Sequence, residues 1–578
     1  MRGWRGRIRG GTAVATSERT DVRAAEEVGR ASVLIIGGGI NGISAFRDLA
    51  LQGVDVLLVE REDFASGASS ASSHMIHGGI RYLENGEFRL VKESVQERND
   101  LLKTAPHYVK PLETTIPIYS TFSGILTAPF RFLFHGSGKP RERGALLIKT
   151  GLTIYDTFSR DGGTVPRHRF HGRRKSLAAL PQLNPRVKYT ATYYDASAHD
   201  PERLALDVLR DGEKAGGRAL NYVEAIGLDS DGVLLRDRES GDEFRIAADV
   251  VVNASGPWTD LTNAALGTGT AFMGGTKGSH IVLDHPELMA ATAGREIFFE
   301  HSDGRIVLIY PLKGKVLVGT TDLEADPREP AVCTEEEIDY FFDLIGHVFP
   351  TIPVDRSQIV YRFSGIRPLP HHDDTAPGFV SRDYRIERRK DAGLPPVLSL
   401  VGGKWTTFRA LGESLSDRVL AELGRPRVSR TKGVRIGGGN GYPRTPRRTV
   451  EWLRQNVGDS ARGRVLFVRY GTRAANVAAY LAEGHDEPLL GDQLSTRELL
   501  WMIEKEHARR VSDILFRRTN LVFTGDADAA TVRTVAEAMA TVLDWDAEKT
   551  DAEVEETIRS LRERPGVELS EDAPVTAR

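Results

Sequence analysis

Three glycines near the amino end of the chain have the spacing of a nucleotide-binding turn. Gly37, Gly39 and Gly42 follow an apolar run at 33–36 in G-x-G-x-x-G register, and Glu60 ends the next apolar run. In that register, glycines permit a tight turn, a close backbone approach to a pyrophosphate, and close packing of helix on strand. The pattern predicts a site in which Glu60 accepts hydrogen bonds from an adenosine ribose, and it fits FAD and NAD equally.

A run of small and hydroxyl residues follows this unit and leads into groups that can do proton and charge chemistry. His77 offers a titratable base, Arg81 a fixed cation and Tyr82 a hydrogen-bond donor. The serine hydroxyls can bind phosphate or ribityl oxygens, and the small residues allow a planar cofactor to approach. The alternative is a polar loop with a surface Arg-Tyr pair. For Tyr82, packing in the core is a further alternative. The small residues concerned are Ser69, Ser70, Ser72, Ser73, Gly78 and Gly79.

These groups require an α/β framework to position them. Residues 31–60 are predicted to form strand, helix and strand, and 249–253 form a buried strand that returns to the same sheet. We therefore predict a discontinuous Rossmann-like domain with parts at about 31–110, 195–260 and 395–425, all within a region 31–435. Alternating strands with turn pairs such as Lys313-Gly314 predict an antiparallel, substrate-side sheet at about 270–395. Charged helical segments, including 496–518, predict a helical C-terminal domain over 436–578.

Composition excludes several classes of protein. A chain of 578 residues exceeds one domain, and a net charge of −3 gives no reason to expect nucleic acid as a partner. The one cysteine, Cys333, excludes an intramolecular disulfide framework and favours a reducing, cytoplasmic location. Residues 1–30 carry seven arginines and no continuous apolar stretch, which predicts a disordered extension and not a secretory signal. No run reaches the roughly 18 apolar residues of a spanning helix.

Nine motifs, spread from about Ser32 to Arg518, resemble those of the FAD-dependent glycerol-3-phosphate dehydrogenases, within the wider glycine oxidase and D-amino-acid oxidase-like flavoproteins. The motifs are GGGING, SSASSHMIHGGIRYLE, VVNASGPW, KGSHIVL, VLVGTTD, YRFSGIRPL, SRDY, VGGKWTTFR and EHARRVSDILFRRT. The resemblance implies FAD as the cofactor and an antiparallel domain over its isoalloxazine ring. Two positions depart from the pattern: His74 stands where many relatives are expected to have Lys, and Ala68 where a hydroxyl residue is common.

The resemblance also implies roles for single residues. Arg367 would bind substrate, with Arg81, Tyr82 and Arg382 as companions, although each arginine taken alone is more typical of a solvated surface residue. Lys404 would lie beside the flavin and orient substrate or stabilise negative charge. The predicted cofactor contacts are Gly37, Gly39, Ile40, Asn41, Gly42, Glu60, Ser69, Ser70, Ser72, Ser73, His77, Gly78, Gly79, Ser255, Gly256, Gly402, Gly403, Lys404 and Thr406.

The implied reaction is oxidation of sn-glycerol 3-phosphate to dihydroxyacetone phosphate. A hydride would pass from C2 to flavin N5 while the C2 hydroxyl proton passes to His77, since the ordinary pKa of histidine, about 6.5, suits proton exchange. A structural role for His77 against the flavin is the alternative. Electrons would pass to a quinone, or to oxygen in an oxidase. An amine or hydroxy-acid oxidase and a flavin-binding module without turnover are the competing functions.

Two further segments bear on partners. Residues 116–150 combine large apolar residues with following cations, which predicts a membrane-interface insertion; the alternative is an insertion packed on the protein's own core. His371, His372, Asp373 and Asp374 are interpreted as a polar loop, because no further ligands at a metal spacing follow them. No metal is predicted. Any membrane contact would be peripheral, on the cytoplasmic face.

Overall fold

The computed structural model describes residues 19–79, 88–120, 145–159, 165–300, 306–371 and 383–563. Within these ranges the chain forms two β-sheets and many helices. The strands are β1 (Arg30–Ile36), β2 (Val56–Glu60), β3 (Met75–Ile76), β4 (Val109–Ile118), β5 (Arg169–Gly172), β6 (Tyr189–Ala198), β7 (Arg218–Asn221), β8 (Val223–Asp229), β9 (Gly232–Asp237), β10 (Glu243–Asn253), β11 (Met273–Leu283), β12 (Glu296–Glu300), β13 (Ile306–Leu312), β14 (Lys315–Gly319), β15 (Leu323–Glu324), β16 (Ile359–Pro370), β17 (Arg385–Arg389) and β18 (Val397–Val401).

The helices pack on both sheets and make up the carboxyl-terminal part. They are α1 (Thr20–Val28), α2 (Ile40–Leu51), α3 (Phe88–Thr104), α4 (Ala145–Ser159), α5 (Arg173–Ala179), α6 (Pro201–Lys214), α7 (Thr259–Ala265), α8 (Pro286–Ala291), α9 (Glu335–Val348), α10 (Phe408–Glu422), α11 (Pro446–Asn456), α12 (Ala461–Tyr470), α13 (Ala474–Ala482), α14 (Thr496–Glu506), α15 (Leu521–Thr524), α16 (Ala529–Leu543) and α17 (Ala547–Glu563).

The first sheet has the parallel core of a dinucleotide-binding fold. Its order is β17-β18-β10-β1-β2-β7, with β9 paired to the first half of β10 and β8 paired to β9. The pairs β18–β10, β10–β1, β1–β2 and β2–β7 are parallel, which confirms that distant parts of the chain return to one sheet. Val33, Leu34 and Ile35 on β1 are fully buried because helices α2, α6 and α10 cover one face and α1 covers the other.

The predicted disordered extension at 1–30 is wrong from Arg19 onwards. Helix α1 buries Val22 and Ala25 against the first sheet. Arg19 is buried, donates to the carbonyl of Asn221 at 2.8 Å and forms an ion pair with Asp237 at 3.2 Å. These partners are remote in sequence, which is why local composition did not reveal the order. Residues 1–18 lie outside the described ranges.

The second sheet is mixed but mainly antiparallel. Its order is β15-β11-β14-β13-β12-β4-β6-β3, with β16 on β11 and β5 on β6, and only the β12–β4 pair is parallel among its pairings. Lys313 and Gly314 form the predicted two-residue turn between β13 and β14, with φ of 52° and 77°. Strands β3 to β6, from residues 75–198, also belong to this sheet, so it begins much earlier in the chain than the predicted start at about residue 270.

The start of the predicted membrane-interface segment belongs to this second sheet. Residues 116–118 are the end of β4, and Ile118 is buried in a core with Tyr155 and Tyr193. Burial inside the protein overrides the interface interpretation for these three residues. Residues 121–144 lie outside the described ranges, and α4 forms the last part of the segment. Within the described ranges, no helix has both the length and the apolar character needed to cross a bilayer.

The C-terminal domain is helical, with a core formed by α12 to α17. The single helix predicted at 496–518 is wrong: α14 ends at Glu506, His507 has a φ of 57°, and a π-helical turn occupies Asp513–Arg518. The break is stabilised by Asp513, whose carboxylate accepts hydrogen bonds from the backbone N–H groups of Arg509 and Arg510 at 2.8 and 2.9 Å.

Buried ion pairs join the C-terminal domain to the first sheet. Arg517 and Arg518 both donate to Asp63, and Arg203 on α6 donates two hydrogen bonds to Glu506 at 2.5 and 3.0 Å. Asp63 and Arg518 are fully buried. Burial opposes ionisation of Asp63, but the guanidinium groups of Arg518 and Arg517 outweigh it and lower the pKa of Asp63 to about 2.

Candidate active site

A cleft of about 720 Å³ runs between the two sheets and reaches the C-terminal domain. Its walls bring together segments that are far apart in the chain. Predicted cofactor residues that line it are Gly37, Gly39, Ile40, Asn41, Glu60, Ser69, Ser72, Ser73, His77, Ser255, Gly256, Gly403 and Lys404. Arg367 lines it too. The volume and the elongated lining match a dinucleotide better than a small substrate alone.

The glycine turn is forced by backbone contacts. Gly37 has a φ of 114°, and a Cβ there would lie 2.6 Å from the carbonyl oxygen of Ala254. A Cβ on Gly42 would lie 2.0 Å from the carbonyl oxygen of Gly37, so helix and strand approach as the fingerprint requires. Gly39 precedes the first turn of α2, and the amino end of that helix therefore faces the cleft.

The cleft residues around the glycine turn fit FAD. Glu60 accepts hydrogen bonds from the N–H of Gly38 at 2.7 Å and of Glu62 at 2.9 Å, and its burial raises its pKa. Asn41 Oδ1 is buried and has no hydrogen-bond partner among the described residues. An orphaned acceptor, a ribose-type carboxyl and glycines without side chains together form a cradle that a dinucleotide would fill.

Some predicted cofactor residues support the cleft from behind. Ser70 donates its hydroxyl to the carbonyls of Ser66 and Gly67, both at 3.0 Å, and it does not line the cleft. Thr406 donates to the carbonyl of His77 at 3.2 Å. The remaining members of this group, none of which lines the cleft, are Gly42, Gly78, Gly79 and Gly402.

Two of the serines that do line the cleft already bind protein groups. Ser69 Oγ accepts a hydrogen bond from the N–H of Ile40 at 2.9 Å. Ser73 Oγ lies 2.8 Å from His280 Nε2. These serines therefore orient the helix start and a ring, besides offering a hydroxyl to a ligand. Their partners lie in other segments of the chain, so sequence spacing did not reveal them.

His77, Arg367 and Lys404 also line the cleft. Arg367, on β16, pairs with Asp322 at 2.8 Å and also donates to the carbonyl of Thr321 at 2.7 Å. Lys404 follows β18 and donates to Ser94 Oγ on α3 at 2.7 Å. The side chains are thus held by partners before any ligand binds, which favours fixed geometry over adaptability.

His280 is a cleft residue that the sequence prediction missed. It lies on β11 and stacks on Phe363 with ring centroids 4.8 Å apart. Burial, with the nearby charge of Arg367, lowers its pKa to about 3, so its ring is neutral at pH 7. His280 belongs to the KGSHIVL motif, so the sequence did contain it. A histidine next to an apolar strand, however, is more typical of a core residue than of a cleft residue.

The two departures from the family pattern lie in different places. Ala68 lines the cleft. His74 does not: it is buried, its Nδ1 lies 3.1 Å from the carbonyl oxygen of Ala198, and its ring contacts Phe523. Burial lowers the pKa of His74 to about 3. The change at His74 therefore acts on packing behind the cleft.

Three predicted substrate residues, Arg81, Tyr82 and Arg382, lie outside the described ranges, as do His372, Asp373 and Asp374. His371 directly follows β16 and donates its backbone N–H to the carbonyl of Phe272 at 2.9 Å. In the part of the chain that the structure describes, no group of three or more His, Cys, Asp or Glu side chains is arranged to hold a metal ion.

Known proteins match this chain over most of its length. Residues 32–418 match the family model of FAD dependent oxidoreductases, and residues 429–550 match the C-terminal domain of alpha-glycerophosphate oxidase. The chain is 33% identical over 552 residues to glycerol-3-phosphate dehydrogenase of Synechocystis sp., which covers 90% of this chain and 95% of that protein. It is 32% identical over 508 residues to D-erythritol 1-phosphate dehydrogenase of Brucella abortus, with 84% and 93% covered.

A solved structure shares the fold. The glycerol-3-phosphate dehydrogenase of Bacillus halodurans, determined with FAD, aligns with a TM-score of 0.75 at 24% identity, over 97% of this chain and 100% of that one. The fold, the dinucleotide cradle and the match over residues 32–418 agree. The chain is therefore an FAD enzyme, and it belongs to the FAD-dependent oxidoreductase family that includes the glycerol-3-phosphate dehydrogenases.

Proposed function

We propose that this enzyme oxidises sn-glycerol 3-phosphate at C2 to dihydroxyacetone phosphate. The observation that carries the proposal is that Arg367, Lys404 and His77 line the same cleft as the dinucleotide cradle. FAD, when bound, supplies the two-electron acceptor for the secondary alcohol. The full-length relative named glycerol-3-phosphate dehydrogenase supports the choice of substrate.

Cations that line the cleft would bind the substrate phosphate. Arg367 presents a planar guanidinium suited to two hydrogen bonds with phosphate oxygens, but its ion pair with Asp322 offsets much of its charge. Lys404 also lines the cleft and adds a second cation. A dianion requires this additional charge, so we also assign Arg81 and Arg382 to the phosphate, with Tyr82 as a hydrogen-bond donor.

A histidine would accept the proton of the C2 hydroxyl. We assign His77, which lines the cleft and whose carbonyl is held by Thr406. His280 is neutral, and its Nδ1 has no hydrogen-bond partner among the described residues, so it is a second cleft residue able to accept a proton. Comparing the pH profiles of His77→Ala and His280→Ala distinguishes the two assignments, because loss of the base removes the acidic limb.

We further propose a quinone as the electron acceptor and a peripheral location at the cytoplasmic face of the membrane. Leu146, near the end of the predicted interface segment, is 52% exposed, and Ile154, four residues beyond that segment on the same helix α4, is 36% exposed. Exposed large apolar side chains of this kind favour contact with a bilayer surface. Reduction of a soluble quinone analogue, measured against peroxide formation in air, separates a dehydrogenase from an oxidase.

The test is anaerobic mixing of the FAD-loaded protein with substrate while the flavin absorbance is followed. Bleaching by sn-glycerol 3-phosphate, and not by its enantiomer, is the expected result. Faster bleaching by D-erythritol 1-phosphate would move the substrate to a longer polyol phosphate, as the Brucella abortus relative suggests. Bleaching by glycine or a D-amino acid alone, or by none of these compounds, would overturn the proposal.

A further inference from the structure

We infer that Arg98, Tyr155 and Asp195 form a buried cluster that positions the backbone of His77 and Gly78 for the reaction. The inference rests on the proposed function of this cleft. The three residues, called here the Asp195 cluster, come from α3, α4 and β6. Their exposed fractions are 0%, 1% and 1%. None of them lines the cleft, so they would be positioning residues and not catalytic ones.

The cluster binds the amide next to His77. The N–H of Gly78 is directed at Asp195 Oδ1, at 3.0 Å, and at Tyr155 Oη, at 3.1 Å. A Cβ on Gly78 would lie 2.2 Å from Tyr155 Oη and 2.6 Å from Val95 Cγ2, so the loop is pressed against the cluster. A fixed amide at 78 limits the rotation of the peptide that carries the His77 side chain.

Charge holds the cluster together. Arg98 Nη1 donates to Asp195 at 3.0 Å, to Tyr155 Oη at 2.8 Å and to the carbonyl of Tyr194 at 3.0 Å. Tyr155 also donates to Asp195, and burial raises the pKa of Tyr155, which keeps this donor proton in place. A buried ion pair often stabilises a fold no more than apolar residues of similar volume would. In this protein the ion pair between Arg98 and Asp195 has a second role, because Asp195 also binds the N–H of Gly78.

Helix α3 also holds Lys404, one of the cations that line the cleft. On α3, Ser94 accepts a hydrogen bond from Lys404 at 2.7 Å, and Glu97 binds Arg409 through both carboxylate oxygens at 2.6 and 2.8 Å. Arg409 lies at the start of α10, shortly after Lys404. Together with Arg98, these contacts fasten the loops at 77–79 and 404–409 to one helix.

A direct bond closes the arrangement. Thr406 Oγ1 donates to the carbonyl of His77 at 3.2 Å, so both the C=O and the N–H of the peptide group between His77 and Gly78 are held. The relative position of the base and the cation is therefore set by α3 rather than by the cleft wall. Loosening the cluster should slow the chemical step while leaving the cations that bind substrate in place.

The test uses Tyr155→Phe in the full-length, FAD-loaded enzyme, because it removes one hydroxyl and keeps the ring. Tyr193→Phe is the matched control: Tyr193 is also 1% exposed, and its ring lies edge-on to Tyr155 at 5.8 Å. Amide hydrogen exchange of the peptide 75–79 is followed by mass spectrometry, with rates of flavin reduction measured over a range of pH. Both variants are first matched to wild type in FAD content.

Tyr155→Phe is expected to speed exchange at Gly78 about tenfold and to slow reduction at saturating glycerol 3-phosphate about tenfold, with KM changed less than about twofold. The pH profile should shift as well, since His77 is displaced. Tyr193→Phe should match wild type in exchange and rate. Unchanged exchange in Tyr155→Phe, or equal changes in both variants, would overturn the inference.

A second variant covers the case in which Tyr155→Phe loses FAD. Asp195→Asn keeps the shape and an acceptor oxygen but removes the charge that Arg98 faces. It is expected to speed exchange at Gly78, and protection equal to wild type would contradict the inference. Hydrogen exchange requires no substrate, so it tests the role of the Asp195 cluster even if glycerol 3-phosphate fails to reduce the wild-type enzyme. That failure would count against the proposed function alone.

Discussion

Two groups of residues that line the cleft are built by different means. For the group around Gly37 and Glu60, one stretch of about thirty residues provides the turn, the helix start and the carboxyl, and its contacts are mostly backbone. The other group, His77, Arg367 and Lys404, comes from distant segments, and its members are held by side chains such as Asp322 and Ser94. A cradle for a cofactor is thus specified locally, whereas reactive groups depend on partners supplied by the rest of the fold.

The largest effect is expected where the backbone has no freedom. Gly37→Ala should yield protein without FAD and destabilise the fold by about 3 kcal/mol or more, because its Cβ would meet the Ala254 carbonyl at 2.6 Å. Gly53→Ala is the control, since Gly53 also has positive φ, 68°, but nothing lies within 4 Å of its Cβ. The measurement is the ratio of flavin to protein in the purified variants. Wild-type FAD content in Gly37→Ala would show that the close backbone contact at Gly37 is not needed for FAD binding.

The next prediction tests whether substrate binding can be weakened without loss of FAD. Arg367→Ala should keep its FAD and raise the KM for glycerol 3-phosphate about a hundredfold, because a charged contact to phosphate is lost. Arg362→Ala serves as the control: Arg362 lies on the same strand but pairs with Glu335 at 2.7 Å. Steady-state kinetics of both variants measures the difference. An unchanged KM in Arg367→Ala would exclude it as the phosphate anchor.

Buried carboxyls sharpen the comparison further. Glu60 is bonded by two backbone amides, whereas Glu296, on β12, accepts one hydrogen bond from Thr114 at 2.7 Å, and burial raises its pKa to about 8. The unfolded chain loses this proton near the ordinary pKa of 4.5, so wild-type stability should fall as pH rises from there to about 8. Glu296→Gln carries no such proton.

The melting temperature of Glu296→Gln relative to wild type should therefore rise by a few degrees between pH 5 and pH 8 and level off above that. Thermal melts of both proteins across this range give the difference directly. A constant difference across the range would mean that Glu296 is ionised in the folded protein.

The smallest effect concerns the orientation of a ring. Ser73→Ala should retain FAD and lower kcat/KM about threefold, because His280 loses the partner of its Nε2. Ser70→Ala is the matched change, since that hydroxyl binds only carbonyls behind the cleft among the described residues. Kinetics and flavin content of the pair provide the measurement, and equal rates for both variants would show that the Ser73 contact has no functional weight.

Much of the framework could be predicted from the sequence because its signals are local. The parallel strands appear as apolar runs, the turn at Lys313 and Gly314 as a residue pair, and the C-terminal helices as periodic segments. The break after Glu506 could not, since it depends on the carboxylate of Asp513 binding two amides before it.

The reactive part of the cleft was less accessible to prediction for the same reason. His280 is recognisable as a cleft residue only once β11 is placed beside Ser73. The direction of the Ser70 hydroxyl and the buried state of Arg19 likewise depend on contacts that no local pattern contains. The resemblance to a family supplied Arg367 and Lys404, which spacing alone would have left as surface residues.

The bond between Asp63 and the two arginines of the C-terminal domain limits how the chain can be divided. Asp63 lies three residues after Glu60, and a chain cut before Arg517 would keep this carboxylate in its core without the two arginines that pair with it. An uncompensated buried charge is among the most damaging single defects in a fold. The family boundary near residue 429 is therefore not a site for shortening or recombining the gene unless Asp63 is replaced at the same time.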